Sequence, residues 1–322
     1  MKTLPLASLL AASLCVLACS PQASTTVQAG TDAPASTAFQ TAHAEWVRKR
    51  AEDLARPDGW TSLTGLHWLD AGKQRVGAGE DNSIRLAIGP DQLGQVELRA
   101  DGVYFQPAAG VPITVDETLL QGTTRLVPEG SGAGTTLAYD DGKGKISVIR
   151  RGQRLALRVR HADAPARRDF AGLDFFPADE HWRVQAQFVP HPAGRTLPIV
   201  NVLGEITDTP NPGYVRFKKE GHEWQLQALG DPAKGLNLMF QDQTTGRQTY
   251  GVGRYLRTDP VAADGSVTLD FNRAYNPPCA YTEFATCPLP PPENRLAQQD
   301  GSQPRVRLAV LAGEKKYATS HR

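Results

Sequence analysis

Residues 182–188 read Trp-Arg-Val-Gln-Ala-Gln-Phe, residues 214–218 Tyr-Val-Arg-Phe-Lys and residues 224–228 Trp-Gln-Leu-Gln-Ala. Side chains of an extended strand alternate between two faces, so each run presents one apolar face and one face of charges and amides. Strands of that kind belong to antiparallel sheets with one side wet. The rhythm resumes at 199–204, 236–242, 248–256, 266–272 and 306–313. A second antiparallel unit, a barrel or a sandwich, is therefore expected over 166–322.

Upstream of Ala164-Pro165 the runs are shorter and punctuated by glycine: GLHWLD (65–70), SIRLAIG (83–89), GQVELRADGVYFQ (94–106), VPITV (111–115), TRLVP (124–128), KISVIRR (145–151) and QRLALRVRH (153–161). Ala100-Asp101-Gly102 and Asp140-Asp141-Gly142 supply turns at the spacing of a meander. These strands predict a small antiparallel β-sandwich. One helix precedes them: Phe39, Ala42, Trp46, Val47, Ala51 and Leu54 recur at helical spacing, Ser36 or Thr37 can cap it and Pro57 stops it. The expected fold is mainly β, with this helix and sandwich over 39–165 and the second β unit after it.

The chain opens with Lys2 and an apolar run from Leu4 to Ala18, too short to span a bilayer and typical of a signal peptide (1–18). Val16-Leu17-Ala18-Cys19 resembles the lipobox of bacterial lipoproteins, with Leu17 a less usual residue there. The resemblance implies cleavage before Cys19 and acylation of it, which makes the bilayer the first partner; an ordinary secretory signal with a chance cysteine is the alternative. Ser20 after the cysteine implies the outer membrane, facing the periplasm. Residues 20–38 carry one charge and no aromatic, are rich in Ser, Thr, Ala and Pro, and with Cys19 read as a flexible tether (19–38) holding the body on the order of 25 Å from the lipid.

The full chain has 35 basic and 34 acidic residues, and removal of 1–18 takes away one lysine. A balanced chain of this kind points away from nucleic acid. Past Cys15 and Cys19 the cysteines are Cys279 and Cys287. In an exported protein a disulfide is the first expectation, with a chain-entropy contribution of roughly 2.5 kcal/mol; buried thiols come second, and metal ligation last because no Cys-x-x-Cys or His-x-x-x-His lies nearby.

The segment 270–296, DFNRAYNPPCAYTEFATCPLPPPENRL, closely resembles the DUF1684 family, a bacterial domain of unknown function. GWTSLTGLHWLDAG, VIRRGQRLALRVR, FAGLDFFP, WRVQAQFVPH and DQTTGRQTYGVGRYL extend the resemblance over nearly all of 45–317. It implies a shared architecture and no activity. Residues 73–150 also have a strand rhythm similar to forkhead-associated domains. Ala78 and Leu93-Gly94-Gln95 stand where those domains bind phosphothreonine, so the rhythm implies no phosphopeptide site.

No Gly-x-Ser-x-Gly, His-Glu-x-x-His or Walker motif is present, and Gly251-Val252-Gly253 lacks the third glycine of a dinucleotide site. No cofactor and no metal are expected. Three groups of residues are candidates for chemistry. In 245–255, Gln248, Tyr250, Val252 and Arg254 would share one strand face and leave glycines on the other, so that Tyr250 and Arg254 bind a carboxylate or phosphate; a bulged strand with Arg254 in a structural ion pair fits equally. Asp270, Asn272, Asn276, Tyr281, Glu293, Asn294 and Arg295 lie in an irregular segment pinned by prolines, which reads either as a rigid ligand loop or as a strap over a sheet edge. His67, near Asp70, could serve as a base with its orienter. The leading expectation is an envelope-tethered protein binding a small polar or anionic ligand, or an envelope protein, between Tyr250, Arg254 and the 276–295 strap. A hydrolase using Asp270, Glu293 or His67 is the alternative, and a structural spacer the third possibility.

Overall fold

The structure is a computed structural model and describes residues 36–298 and 306–318. The signal peptide, Cys19 and nearly all of the tether therefore lie outside the described residues. The described residues belong to one compact body, built from a first and a second β unit, and no helix among them is long and apolar enough to cross a membrane.

Helix α1 spans Thr37–Ala55, and Ser36 Oγ caps it by accepting the Phe39 N–H at 3.3 Å. Its inward stripe holds Phe39, His43, Trp46, Val47, Arg50 and Leu54, a spacing that keeps them on one face. Eleven strands follow: β1 (Leu63–Trp68), β2 (Gly72–Gly77), β3 (Ile84–Arg85), β4 (Gly94–Arg99), β5 (Gly102–Pro107), β6 (Thr114–Val115), β7 (Thr118–Leu119), β8 (Thr124–Leu126), β9 (Thr136–Tyr139), β10 (Gly144–Arg151) and β11 (Arg154–His161). They make two sheets, ordered β1-β11-β10-β9-β6-β7 and β3-β2-β4-β5-β8, antiparallel except for the β2–β3 pair. Val76, Val96, Val103 and Phe105 from one sheet and Leu137, Ile146, Val148, Leu157 and Val159 from the other fill a single core. The expected sandwich is present.

Ten more strands among the described residues build the second unit: β12 (Arg183–Pro190), β13 (Thr196–Val200), β14 (Ile206–Pro210), β15 (Gly213–Lys219), β16 (His222–Asp231), β17 (Gly235–Phe240), β18 (Arg254–Arg257), β19 (Ser266–Asp270) and the short pair β20 (Ala297–Gln298) and β21 (Val306–Arg307). The order β18-β17-β16-β15-β12-β19 is an open antiparallel half-barrel, with β13–β14 as a separate hairpin. Alternation is as expected: Val184 and Ala186, and Trp224, Leu226 and Ala228, are buried between exposed Arg183, Gln185, Gln187, Glu223 and Gln225.

The barrel or sandwich expected here takes this half-barrel form because irregular segments occupy the open side. Phe271, Ala274, Leu296, Leu308, Val310 and Ala312 complete the core of the six strands. Tyr255 of β18 and Tyr275, just past β19, exchange backbone hydrogen bonds at 2.8 and 2.9 Å, linking the two edges of the sheet. The proline run covers another edge, where Leu289 N–H donates to Val200 O at 2.7 Å and Val202 N–H to Cys287 O at 3.0 Å.

The strand expected over 248–256 begins only at Arg254. Gly253 sits at φ +116°, outside the extended region, and a Cβ there would lie 2.5 Å from the Phe240 carbonyl and 2.9 Å from Pro290. The space left by this glycine is filled by backbone and by the strap.

Candidate functional site

The strap residues that looked most like a ligand loop are turned inward and bonded to the protein's own backbone. Asn294 is enclosed where β16 and β17 part. Its Nδ2 donates to Gln227 O (2.9 Å) and Met239 O (2.8 Å), and its Oδ1 accepts the Gln227 N–H (2.6 Å), so one amide replaces missing ladder bonds between two strands. Asn272 holds Asp179 in the same manner, donating to its carbonyl (2.9 Å) and accepting its N–H (3.0 Å). Asn276 donates through Nδ2 to Lys315 O at 2.8 Å. Tyr250 has no exposed surface, and its hydroxyl donates to Cys279 O at 2.8 Å.

Two buried ion pairs anchor these pieces. Arg254, 1% exposed, donates to Asp242 Oδ2 (3.1 Å), Val310 O (2.9 Å) and Ala312 O. Asp242 in turn accepts the Val310 N–H (2.8 Å) and the Thr244 hydroxyl (2.7 Å). Burial pulls the Arg254 pKa down, against the pull of Asp242. The second pair is Arg50 of α1 with Glu314, Nε to Oε1 at 2.8 Å. Glu314 is fully enclosed and also accepts the Asn276 N–H (2.8 Å) and the Tyr281 hydroxyl (2.5 Å). For Arg50, burial opposes the charge but Glu314 outweighs it and the pKa is raised; for Tyr281, burial and then Glu314 hold the pKa well above its ordinary value, which keeps it a donor.

Tyr250, Arg254, Asn272, Asn276, Tyr281 and Asn294 therefore spend their hydrogen bonds on the protein itself. The Tyr250–Arg254 pocket is replaced by packed polar groups, each with a backbone or carboxylate partner at closer reach, while Arg254 Nε and Asn276 Oδ1 are buried among them without a hydrogen-bond partner. Glu293 and Arg295 stand exposed on the strap. The disulfide is likewise corrected: Cys279 and Cys287 are neighbours in the apolar cluster under α1, the Cys279 N–H donates to Cys287 Sγ at 3.0 Å, and no disulfide joins them.

The acid–base candidates are dispersed. Asp270 lines a cleft of about 260 Å³ beside α1 with His43, Arg183 and Arg273, and lies 3.7 and 3.5 Å from the two arginines. His67 lies on β1 of the other unit, its Nε2 buried without a hydrogen-bond partner, and Asp70 is exposed and not bonded to it. Among the described residues no three His, Cys, Asp or Glu side chains converge as a metal set requires.

A different concavity has the chemistry of a site. At one end of the sandwich, the β4–β5 turn, the β10–β11 turn, β8 and the start of the loop after it surround a cleft of about 650 Å³, lined by Arg99, Arg125, Arg150 and Arg154 and by a single acidic residue, Asp101. Arg99 is paired with Glu97 at 2.6 Å. Arg125 donates to the Asp101 carbonyl at 2.5 Å, and Gly102 (φ +152°) makes room for it, since a Cβ there would lie 2.8 Å from Arg125 Nε. Arg154 lies 3.9 Å from the centre of the Trp68 ring. Among the described residues, Arg125, Arg150 and Arg154 have no carboxylate within ion-pair distance. The run Arg150-Arg151-Gly152-Gln153-Arg154 was the available signal: a tight turn that gathers like charges at the mouth of a sandwich.

A mainly β chain whose half-barrel is closed by a polar strap defines the structural class. Residues 168–315 match the family model of DUF1684, described as a protein of unknown function, and that part of the chain belongs to the family. The match covers the strapped half-barrel and stops short of the sandwich, a narrower span than 45–317. A solution structure of an uncharacterized protein from Haloarcula marismortui is 33% identical, with 47% of this chain and 80% of that chain covered and a TM-score of 0.37. None of the curated proteins matches the chain.

Two outcomes follow from the buried groups. Arg254→Met leaves Asp242 enclosed without its counter-charge, and the unfolding free energy should fall by about 3–5 kcal/mol in urea titrations followed by circular dichroism; a loss under about 1 kcal/mol would refute the anchoring role. Burial also lowers the pKa of His43 and of His67 from 6.5. The unfolded chain then takes up these protons first, so their contribution is complete above pH 6.5 and is lost as pH falls through the lowered native values. The urea midpoint should drop between pH 7 and pH 5, and less steeply in the His43→Gln, His67→Gln double variant.

Proposed function

We propose that this is a binding protein of the bacterial envelope, tethered through acylated Cys19 to the outer membrane on its periplasmic side, and that its body captures a small anion in the arginine cleft of the sandwich. The observation that carries the reading is the imbalance of charge in one concavity: beside the Arg99–Glu97 pair, the guanidinium groups of Arg125, Arg150 and Arg154 stand against the one carboxylate of Asp101, within a volume typical of ligand sites. Guanidinium groups bind carboxylate or phosphate through paired, charge-assisted hydrogen bonds. The buried arginines, by contrast, are already matched, Arg254 by Asp242 and Arg50 by Glu314. A ligand of the opposite sign gives the cleft the counter-charge that the fold itself supplies elsewhere. The acid–base residues of the hydrolase alternative sit on separate surfaces, so the binding reading is the better supported one.

Citrate is a suitable probe. Added to residues 35–322 at about 100 times its Kd, it should stabilise the protein by about 2.7 kcal/mol. Arg150→Gln with Arg154→Gln should weaken binding by about a hundred-fold, read by calorimetry at low salt. An unchanged Kd in that double variant would reject the site. For the anchor, the full chain grown with an alkyne-tagged fatty acid should carry the label, and Cys19→Ser should abolish it.

A further inference from the structure

The walls of the arginine cleft are not polar throughout. Leu69, Leu98 and Leu155 line it, and all three are half-buried residues that pack on the sandwich core and keep part of their surface open to the cleft. They belong together: the Leu69 N–H donates to Leu155 O at 2.9 Å, and Leu98 stands opposite Val103, which in turn stands opposite Leu126, so one apolar row crosses β4, β5 and β8. Val103 and Leu126 also line the cleft.

The core-facing row of β10 runs Ile146, Val148, Arg150, by the two-residue period of a strand, and Arg150 is paired with Leu155. Where a third apolar side chain would seal the gap between the two sheets, the sequence places a cation. The sandwich is thus open at this end, with a leucine floor and an arginine rim.

We infer that the cleft takes an amphipathic anion, a carboxylate or phosphate head held by Arg125, Arg150 and Arg154 with an unbranched apolar tail laid on Leu69, Leu98 and Leu155. This deepens the reading of the cleft as an anion site and rests on it. A purely hydrophilic anion would leave the leucines wet, and an uncharged hydrocarbon would leave the guanidinium groups without a counter-charge. Only a molecule with both parts satisfies both surfaces.

The test is a calorimetric series on residues 35–322, with hexanoate, octanoate and decanoate below their micelle concentrations, 1-decanol as the uncharged counterpart and citrate as the tail-less anion. Affinity should rise about four-fold per added methylene, the increment expected when a CH₂ group leaves water. Arg150→Gln with Arg154→Gln should weaken decanoate by about a hundred-fold and leave 1-decanol unchanged. Lauroyl lysophosphatidate against laurate separates the two sources of the head group: a preference for the first assigns a phospholipid, a preference for the second a free acid. If affinity is independent of chain length while citrate binds, the amphipathic inference fails and the anion site stands. If 1-decanol binds as tightly as decanoate, or if no anion binds, the anion site itself fails.

Discussion

The two buried ion pairs that grip the last strand-like segment are the constraint on which the half-barrel depends. Residues 308–314 join none of the large sheets, yet Leu308, Val310 and Ala312 supply apolar side chains to its core. A backbone taken into a core without a ladder leaves carbonyls that must be bonded some other way. Arg254 does this for Val310 and Ala312, and Asp242 both balances its charge and accepts the Val310 N–H. Glu314, where the segment ends, ties it to α1 through Arg50 and to the strap through Asn276 and Tyr281. Each guanidinium satisfies several groups at once, which is why arginine and not lysine serves at both positions.

The alternating strands were legible in the sequence because period-two patterning is a local property, and Val184, Ala186, Trp224 and Leu226 are buried as their alternation requires. The helix was legible for the same reason. The 248–256 segment was not, because its pattern is that of a strand while Gly253 adopts a left-handed backbone to admit the Phe240 carbonyl from another part of the chain. The strap was recognisable as special, but its role depends on distant partners: Asn294 meets Gln227 and Met239, which no spacing in 270–296 reveals. The cleft escaped notice for the opposite reason. Arg99, Arg125, Arg150 and Arg154 lie on four separate, ordinary strands, and only the stacking of two sheets brings them to one mouth.

The two units thus treat polar residues in opposite ways. In the half-barrel nearly every conspicuous asparagine, tyrosine and arginine is consumed in holding the chain to itself. That half carries the family match. In the sandwich the core runs to the surface, and cations stand at its edge with few partners. A rigid, self-satisfied body beside an open-ended sandwich is a sensible division between support and contact, since precise placement of side chains needs a frame that does not give.

The Arg50–Glu314 pair also bears on how the chain reaches its native state. It joins residues 264 positions apart, so the core beneath α1 cannot close until the chain from Arg50 to Glu314 is present. Contacts of such sequence separation must overcome loop-closure entropy before they contribute, and they slow folding. Until residues 310–314 are in place, Arg50 and Arg254 have neither Glu314 nor the carbonyls of Val310 and Ala312 to meet. The molecule is therefore built to commit to its fold only when two segments far apart in sequence have met.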